Sequence, residues 1–253
     1  MRRRAFTLVE LTVVIGVLML LTSLLIPMVA RAHRVAVRSR MKADIATIGS
    51  GLEAYRLDQR DYPRLSDSQS GGVEVDGAVL LCWALVSPGP ASQDGAEGPG
   101  FRLRGTHGTT YGPYINPGSF HISGTDDISA EILDRNERPI HYCPANPGAN
   151  VHAANGFVAD SYYGGATGPK PMFDHGYFEY CLDLKTLQGM MGDYNNTGGI
   201  EADESAAWTG SYILWCAGPN GIFGPDPDKI VLKSDGAVDY ARSPSDDVTN
   251  FTP

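Results

Sequence analysis

Three groups of residues in this chain have types and spacings that could do chemistry. The first is one carboxylate, Glu10, inside a run from Phe6 to Ala30 that carries no other charge. A carboxylate in a membrane helix costs about 2.5–3.5 kcal/mol on insertion scales, and such groups usually pair. Cleavage of the chain between Ala5 and Phe6 would create an α-amino group on Phe6. On an adjacent copy that amine would neutralise Glu10 within the bilayer. The second group is Asp193, Asn195, Thr197 and Glu204, in a stretch with Gly198 and Ile200. It follows the twelve-residue oxygen-donor pattern D-x-[DN]-x-[DN]-G-x5-E, which wraps calcium with hard oxygens. Thr197 departs from the pattern and lowers the charge of the loop. The competing reading of this stretch is an Asn/Gly turn with scattered acids. The third group is the four cysteines, Cys82, Cys143, Cys181 and Cys216. Their spacing excludes C-x-x-C redox and zinc-ribbon chemistry. In an extracytoplasmic domain they permit two disulfides, in one of three connectivities. Cys143 and Cys216 both fall in predicted strands, which allows a bridge between them; buried thiols are the alternative.

The element that must position Glu10 is the apolar run itself. At about 1.5 Å per residue, Phe6 to Ala30 spans the ~30 Å hydrocarbon core. Arg2, Arg3 and Arg4 favour a cytoplasmic N-terminus, although Arg31, Arg34, Arg38, Arg40 and Lys42 follow the span. The run is long for a cleaved secretory signal, and no small-x-small site follows it at once. Pro27 lies inside it and removes one backbone donor. Beyond Arg31 the pattern stays helical. Met41, Ile45, Ile48, Leu52 and Tyr55 form one apolar stripe at spacings of 4, 3, 4 and 3. Gly49 and Gly51 weaken that helix by about 1 kcal/mol each relative to Ala, and Pro63 ends it.

The remainder reads as a turn-rich head. Gly 30 and Pro 17 make up about 19% of the 253 residues, below the level that marks disorder. Gly77 to Val86 reads as a short buried helix, and residues 87–100 as a loop. Ile140–Cys143, Tyr177–Leu182, Ser211–Cys216 and Lys229–Lys233 read as strands. Residues 1–65 hold 11 Lys/Arg against 5 Asp/Glu, and residues 66–253 hold 9 against 24. An acidic body of this kind argues against nucleic-acid binding. The six histidines form no H-x-x-x-H pair, and there is no nucleophile elbow, phosphate loop or dinucleotide fingerprint. Nothing in the sequence asks for an enzyme.

The octapeptide Arg4-Ala5-Phe6-Thr7-Leu8-Val9-Glu10-Leu11, followed at once by a long apolar run, resembles the processing signal of type IV prepilins and type II secretion pseudopilins. In that family a membrane peptidase cuts before the Phe and methylates its new amine, and the glutamate guides stacking into a filament. The residue before the cut is usually Gly and here is Ala5. The resemblance continues in Leu52 to Asp58 with Tyr62-Pro63, and in Gly112-Pro113-Tyr114-Ile115. It extends to Asp134, Pro139 and Tyr142, with Asn136-Glu137 where the family has Trp-Gly. It ends in Ala217 to Gly221 and Asp246 to Phe251. It covers about half the chain, with insertions between.

The resemblance implies an α+β pilin-like fold: a long N-terminal helix packed on a small antiparallel sheet with loop-rich insertions. The expected divisions are a leader at 1–5, a membrane and filament-core helix at 6–30, an amphipathic stalk at 31–64 and a periplasmic head at 65–253. The family also implies a structural calcium ion in the C-terminal loop, held by carboxylates and backbone carbonyls. Asn220, Asp246 and Asp247 fall at the corresponding places, with Asn220 where an acid is usual. The implied role is a pseudopilin of a type II secretion pseudopilus, anchored by one span in the inner membrane. Its implied partners are copies of itself, other pseudopilins, the prepilin peptidase and the inner-membrane secretion platform. The competing expectations are a type IV pilin for adhesion, motility or DNA uptake, and a membrane-anchored calcium-dependent binding module.

Overall fold

The long apolar stripe and the short aromatic runs build the architecture. A computed structural model describes residues 8–64, 77–86, 111–123, 130–145, 210–232, 238–239, 243 and 245–250. Helix α1 is Leu8–Gln59, and helix α2 is Gly77–Leu85. The strands are β1 (His121–Ser123), β2 (Glu131–Leu133), β3 (His141–Pro144), β4 (Tyr212–Cys216) and β5 (Val248–Thr249). Strands β1 and β2 pair as an antiparallel hairpin, and β3-β4-β5 form a second antiparallel sheet with β4 at its centre. The α+β expectation holds. The processing residues Ala5 and Phe6, the 193–204 loop, the expected strand Tyr177–Leu182 and Cys181 lie outside the described residues.

The chain divides into two compact units, residues 1–40 and 41–253. Within the first unit α1 presents apolar residues to solvent on every side, Leu11, Val14, Leu18 and Leu25 among them. Its most apolar window has a mean hydropathy of 2.6 and no buried residue, which suits a helix surrounded by lipid. The hydroxyls of Thr12 and Ser23 donate to the backbone carbonyls of Val9 and Leu20 at 2.9 and 2.8 Å. These local bonds satisfy polar groups that lipid cannot. Pro27 sits inside the helix.

Within the second unit α1 buries Met41, Ile45, Ile48, Gly51 and Leu52, the expected stripe. Tyr55 is half-buried and meets the Tyr114 ring edge-on at 5.4 Å. Helix α2, buried along almost its whole length, packs on β2 and β3. Its end holds the Tyr114 segment, whose amide donates to the Leu85 carbonyl at 2.9 Å. A Cβ on Gly51 would lie 2.5 Å from Ile115 Cγ2, and one on Gly49 would lie 3.1 Å from the Tyr212 hydroxyl. These glycines therefore permit close approach of the helix to the head, which outweighs their poor helix propensity.

Two expectations are corrected. Lys229–Lys233 is not a strand where it is described. Pro227–Lys229 is a 3-10 turn, because Asp226 Oδ1 accepts the Asp228 amide and Pro227 fixes the first φ. Leu232 makes only an isolated bridge to Val238. Nor is Cys143 bridged to Cys216. The register sets Cys143 opposite Ile213 and Cys216 opposite Val248. Three positions along a strand is about 10 Å and reverses the face, beyond the reach of a disulfide. Cys82, Cys143 and Cys216 are all buried thiols.

Gly51→Ala is expected to lower stability by about 1–2 kcal/mol, because overpacking against Ile115 outweighs the helix-propensity gain. Thermal unfolding of the full chain in detergent micelles checks this. Gly16→Ala, whose added methyl meets nothing within 4 Å, should not lower the transition.

Candidate functional site

The C-terminal loops of the head converge on one buried carboxylate. Strand β4 reads Tyr-Ile-Leu-Trp-Cys, and its last four residues are buried. As the central strand it carries Trp215 inward, where the indole packs on Phe223 at 4.9 Å and on His141 at 6.0 Å. The indole N–H needs an acceptor in this apolar setting. It donates to Asp247 Oδ2 at 2.9 Å, and the Gly224 amide donates to the same oxygen at 2.9 Å. The Asp247 amide in turn donates to Ser245 Oγ at 3.0 Å. Asp247 is 2% exposed, and its Oδ1 has no hydrogen-bond partner among the described residues. Burial pushes its carboxyl up to about 6 against the pull of the Gly224 amide, the Trp215 indole and Ser245, with the neighbouring Asp246 raising it further.

Asp246 and Asn220 stand at the same place. The Asn220 amide donates to Asp246 Oδ2 at 3.1 Å, and Asn220 Oδ1 accepts the Ile222 amide at 2.8 Å. The two loop segments pass so closely that a Cβ on Gly218 would fall 2.1 Å from the Asp246 carbonyl oxygen. Gly221 takes φ +70, which a side chain disfavours. Of the expected trio, Asn220 and Asp246 meet directly, and Asp247 adjoins Asp246 with one carboxylate oxygen turned to Trp215 and Gly224. The trio's donors are oxygens, and a buried carboxylate oxygen lies unused there, which is the chemistry a hard cation such as calcium takes. Among the described residues no three His, Cys, Asp or Glu side chains gather as a metal-binding group. Any ion here would therefore need backbone carbonyls to complete its shell.

A clamp that sequence reasoning missed holds these loops. Asp134 closes the turn after β2: its Oδ1 accepts the amides of Asn136 and Arg138 at 2.7 and 3.0 Å. Burial raises its carboxyl despite those bonds. Asn136 Nδ2 donates to the Gly218 carbonyl at 2.8 Å, and Arg138 Nε to the Gly221 carbonyl at 3.2 Å. On the other side Arg135 forks onto Asp44 of α1, with Nε–Oδ2 at 2.9 Å and Nη2–Oδ1 at 3.2 Å. One turn therefore grips both the helix and the C-terminal loop. The signal for it was Asp-x-Asn-x-Arg-Pro, an Asx turn. Asn250 does similar work at the sheet edge. Its Oδ1 accepts the Leu214 amide at 2.9 Å, and its Nδ2 donates to the Tyr212 carbonyl at 3.1 Å.

Among the described residues, Cys216 of β4 is no nucleophile for this site. Burial raises the Cys216 thiol strongly, and the Asp134, Asp247 and Asp44 charges raise it further, so it stays protonated. In the first unit Glu10 is exposed on α1 among Val9, Leu11 and Val13, all exposed apolar residues.

Comparison with known proteins gives relatives of one kind. The chain is 40% identical over 118 residues to the type II secretion system core protein G of Pectobacterium carotovorum subsp. carotovorum, covering 46% of this chain and 69% of that protein. It is 37% identical over 62 residues to the core protein G of Klebsiella pneumoniae, covering 24% of this chain and 44% of that one. It is 32% identical over 74 residues to that of Escherichia coli K12, covering 29% of this chain and 51% of that one. With the last two, the chain thus spans about half the relative's length. No protein-family model and no solved structure matches the chain.

With calcium chelated, Asp247 should make stability fall as pH rises from about 4 to 6. The folded carboxyl holds its proton to about 6, while the unfolded one loses it near 3.9. Asp247→Asn keeps an acceptor for Trp215 and should flatten that slope, by roughly 2–3 kcal/mol across the window. Denaturant unfolding at several pH values in chelator measures it.

Proposed function

Because this chain belongs to the type II secretion system core protein G family, the major pseudopilins, we propose that it is a structural subunit of a secretion pseudopilus. In this reading it is stored by α1 in the inner membrane with its head in the periplasm. It is cut between Ala5 and Phe6 and then stacks helix on helix into a short fibre that supports protein export. Its partners are copies of itself, other pseudopilins, the prepilin peptidase and the secretion platform. The observation that carries the reading is Glu10, the one charged residue in the apolar half of the helix, at the fifth position counted from Phe6 as the first. In lipid its charge is best satisfied by an adjacent α-amine, which both pairs the acid and sets the stacking register.

The role is mechanical. Packing of apolar helices supplies cohesion, and the pairing of Glu10 with the neighbouring Phe6 amine supplies specificity. Chain isolated from its native membrane should begin at N-methylated Phe6, and Glu10→Ala should leave the protein anchored while abolishing filaments and export of a reporter enzyme. A chain that still begins at Met1, or filaments unaffected by Glu10→Ala, would contradict the reading. Loss of motility or attachment with export intact would point to a type IV pilin instead.

We also propose that Asp246, Asp247 and Asn220 hold a calcium ion, supplemented by backbone carbonyls of the 217–224 loop. The ion would supply positive charge between two adjacent carboxylates and fix a loop with few apolar contacts. Support comes from the buried Oδ1 of Asp247 and the raised carboxyl beside Asp246. Calcium in excess over chelator should raise the melting temperature of the full chain in micelles by several degrees. Asp246→Asn with Asp247→Asn should remove the shift. A shift that survives both substitutions would place the ion elsewhere, with Asp193, Asn195, Thr197 and Glu204 the next set to change.

A further inference from the structure

Between Glu10 and Asp44 the chain has no acidic residue, and its five cations all lie between Arg31 and Lys42. Four of them, Arg31, Arg34, Arg38 and Arg40, belong to the first compact unit and to the uninterrupted helix α1. Arg31, Arg34 and Arg38 share one helical face, at spacings of three and four. Arg31, Arg34 and Arg40 are exposed, and Arg38 is half-buried with its Nε lacking a hydrogen-bond partner among the described residues. None of the four makes an ion pair with a described residue.

Their height along the helix is set by arithmetic. Leu8 to Ala30 is 23 residues, about 35 Å at 1.5 Å per residue, slightly more than the hydrocarbon core. Arg31 therefore emerges where the phosphates lie, and Arg34 about 4.5 Å further on. Arg38 and Arg40 follow within roughly a Debye length of the surface and can reach back along their stems. Apolar surface continues beside them. Val35 is 65% exposed, and an open hollow of about 820 Å³ is lined by Pro27, Met28, Arg31, Ala32 and Val35 among others. An apolar floor with the Arg31 guanidinium at its rim, and Arg34 and Arg38 further along the same helix, suits a lipid that offers an acyl chain and an anionic headgroup together.

We propose that the face of α1 carrying Arg31, Arg34 and Arg38, with Arg40 beside it, is a binding site for anionic phospholipid headgroups. It holds the subunit at fixed depth and recruits acidic lipid around each stored copy. The proposal rests on the membrane-anchored reading of α1. It favours lipid over the acidic head of a second copy because the cations begin at the end of the apolar span, the height of the phosphates. Guanidinium groups bind phosphate oxygens in a bidentate fork, which also explains the use of Arg at all four positions.

The test uses the full chain in neutral detergent micelles containing equal amounts of phosphatidylglycerol and phosphatidylcholine with the same acyl chains. Native mass spectrometry counts the lipids retained. Wild type should keep phosphatidylglycerol over phosphatidylcholine by at least fivefold. The quadruple change Arg31→Gln, Arg34→Gln, Arg38→Gln and Arg40→Gln should bring the ratio close to one. The matching four Arg→Lys changes should keep most of the preference. A wild-type ratio near one, or a Gln variant that keeps the full preference, overturns the proposal. So does a preference cancelled by millimolar inorganic phosphate, which would mark a small-anion site. A Gln variant with unchanged lipid retention but lost self-association would assign the face to a second copy and overturn it too. Alkaline carbonate extraction of membranes separates the two failures. A chain that leaves the membrane overturns the anchor reading and the proposal with it, whereas a chain that stays but shows no lipid preference overturns the proposal alone.

Discussion

One constraint organises this protein: a single helix must satisfy two solvents. From Leu8 to Ala30 every side chain is exposed, and apolar residues lie on all faces of the helix. From Met41 to Leu52 only one stripe is apolar, and the head covers it. The first half is stable only where water is absent, since backbone groups are paired within the helix and side chains need lipid or other apolar helices. The second half is stable only against its sheet, because an isolated amphipathic helix is marginal in water. The sequence joins the two with a short basic stretch whose charges suit neither interior.

The head is built to grip the second half closely. Gly49 and Gly51 let the helix approach Tyr212 and Ile115, and Tyr142 donates from its buried hydroxyl to the Pro63 carbonyl at 3.0 Å, fixing the helix exit. The Asp134 turn then carries this order outward. Arg135 holds Asp44 on the helix, while Asn136 and Arg138 hold the 218–221 carbonyls. Arg135 is about half exposed, so its ion pair contributes positioning more than energy. The part-buried hydrogen bond to Gly218 and the buried one to Asp247 matter more, since losing either leaves a polar group poorly placed to reach water. One six-residue turn, Asp134 to Pro139, thus links helix α1 to the 218–221 loop.

How much of this the sequence revealed follows from the physics of each element. The stripe from Met41 to Leu52 was legible because period 3.6 is a direct image of a buried face. Strands β3 and β4 were legible from Tyr, Ile and Trp in short runs. The hairpin of β1 and β2 was not, because three-residue strands are too short to show alternation, and β5 is shorter still. Lys229–Lys233 looked like a strand by composition, but the Asp226-Pro227 turn before it decided the backbone. Gly49 and Gly51 looked like weaknesses until the residues they face were known. The pairing of Trp215 with Asp247 joins residues 32 positions apart, and no local pattern announces it. Glu10 was legible for the opposite reason: one charge in an apolar run is conspicuous without any fold.

The most direct measurement of the central claim is photolabelling by a diazirine-bearing phospholipid, with the full chain reconstituted in vesicles and labelled residues mapped by peptide mass spectrometry. The account predicts label on residues 8–30 around the whole helix, fading through Arg31–Arg40, and none on the exposed positions Ala43, Ala46, Thr47 and Ser50. Label confined to one face of residues 8–30, or label extending to Ala43 and beyond, would contradict it.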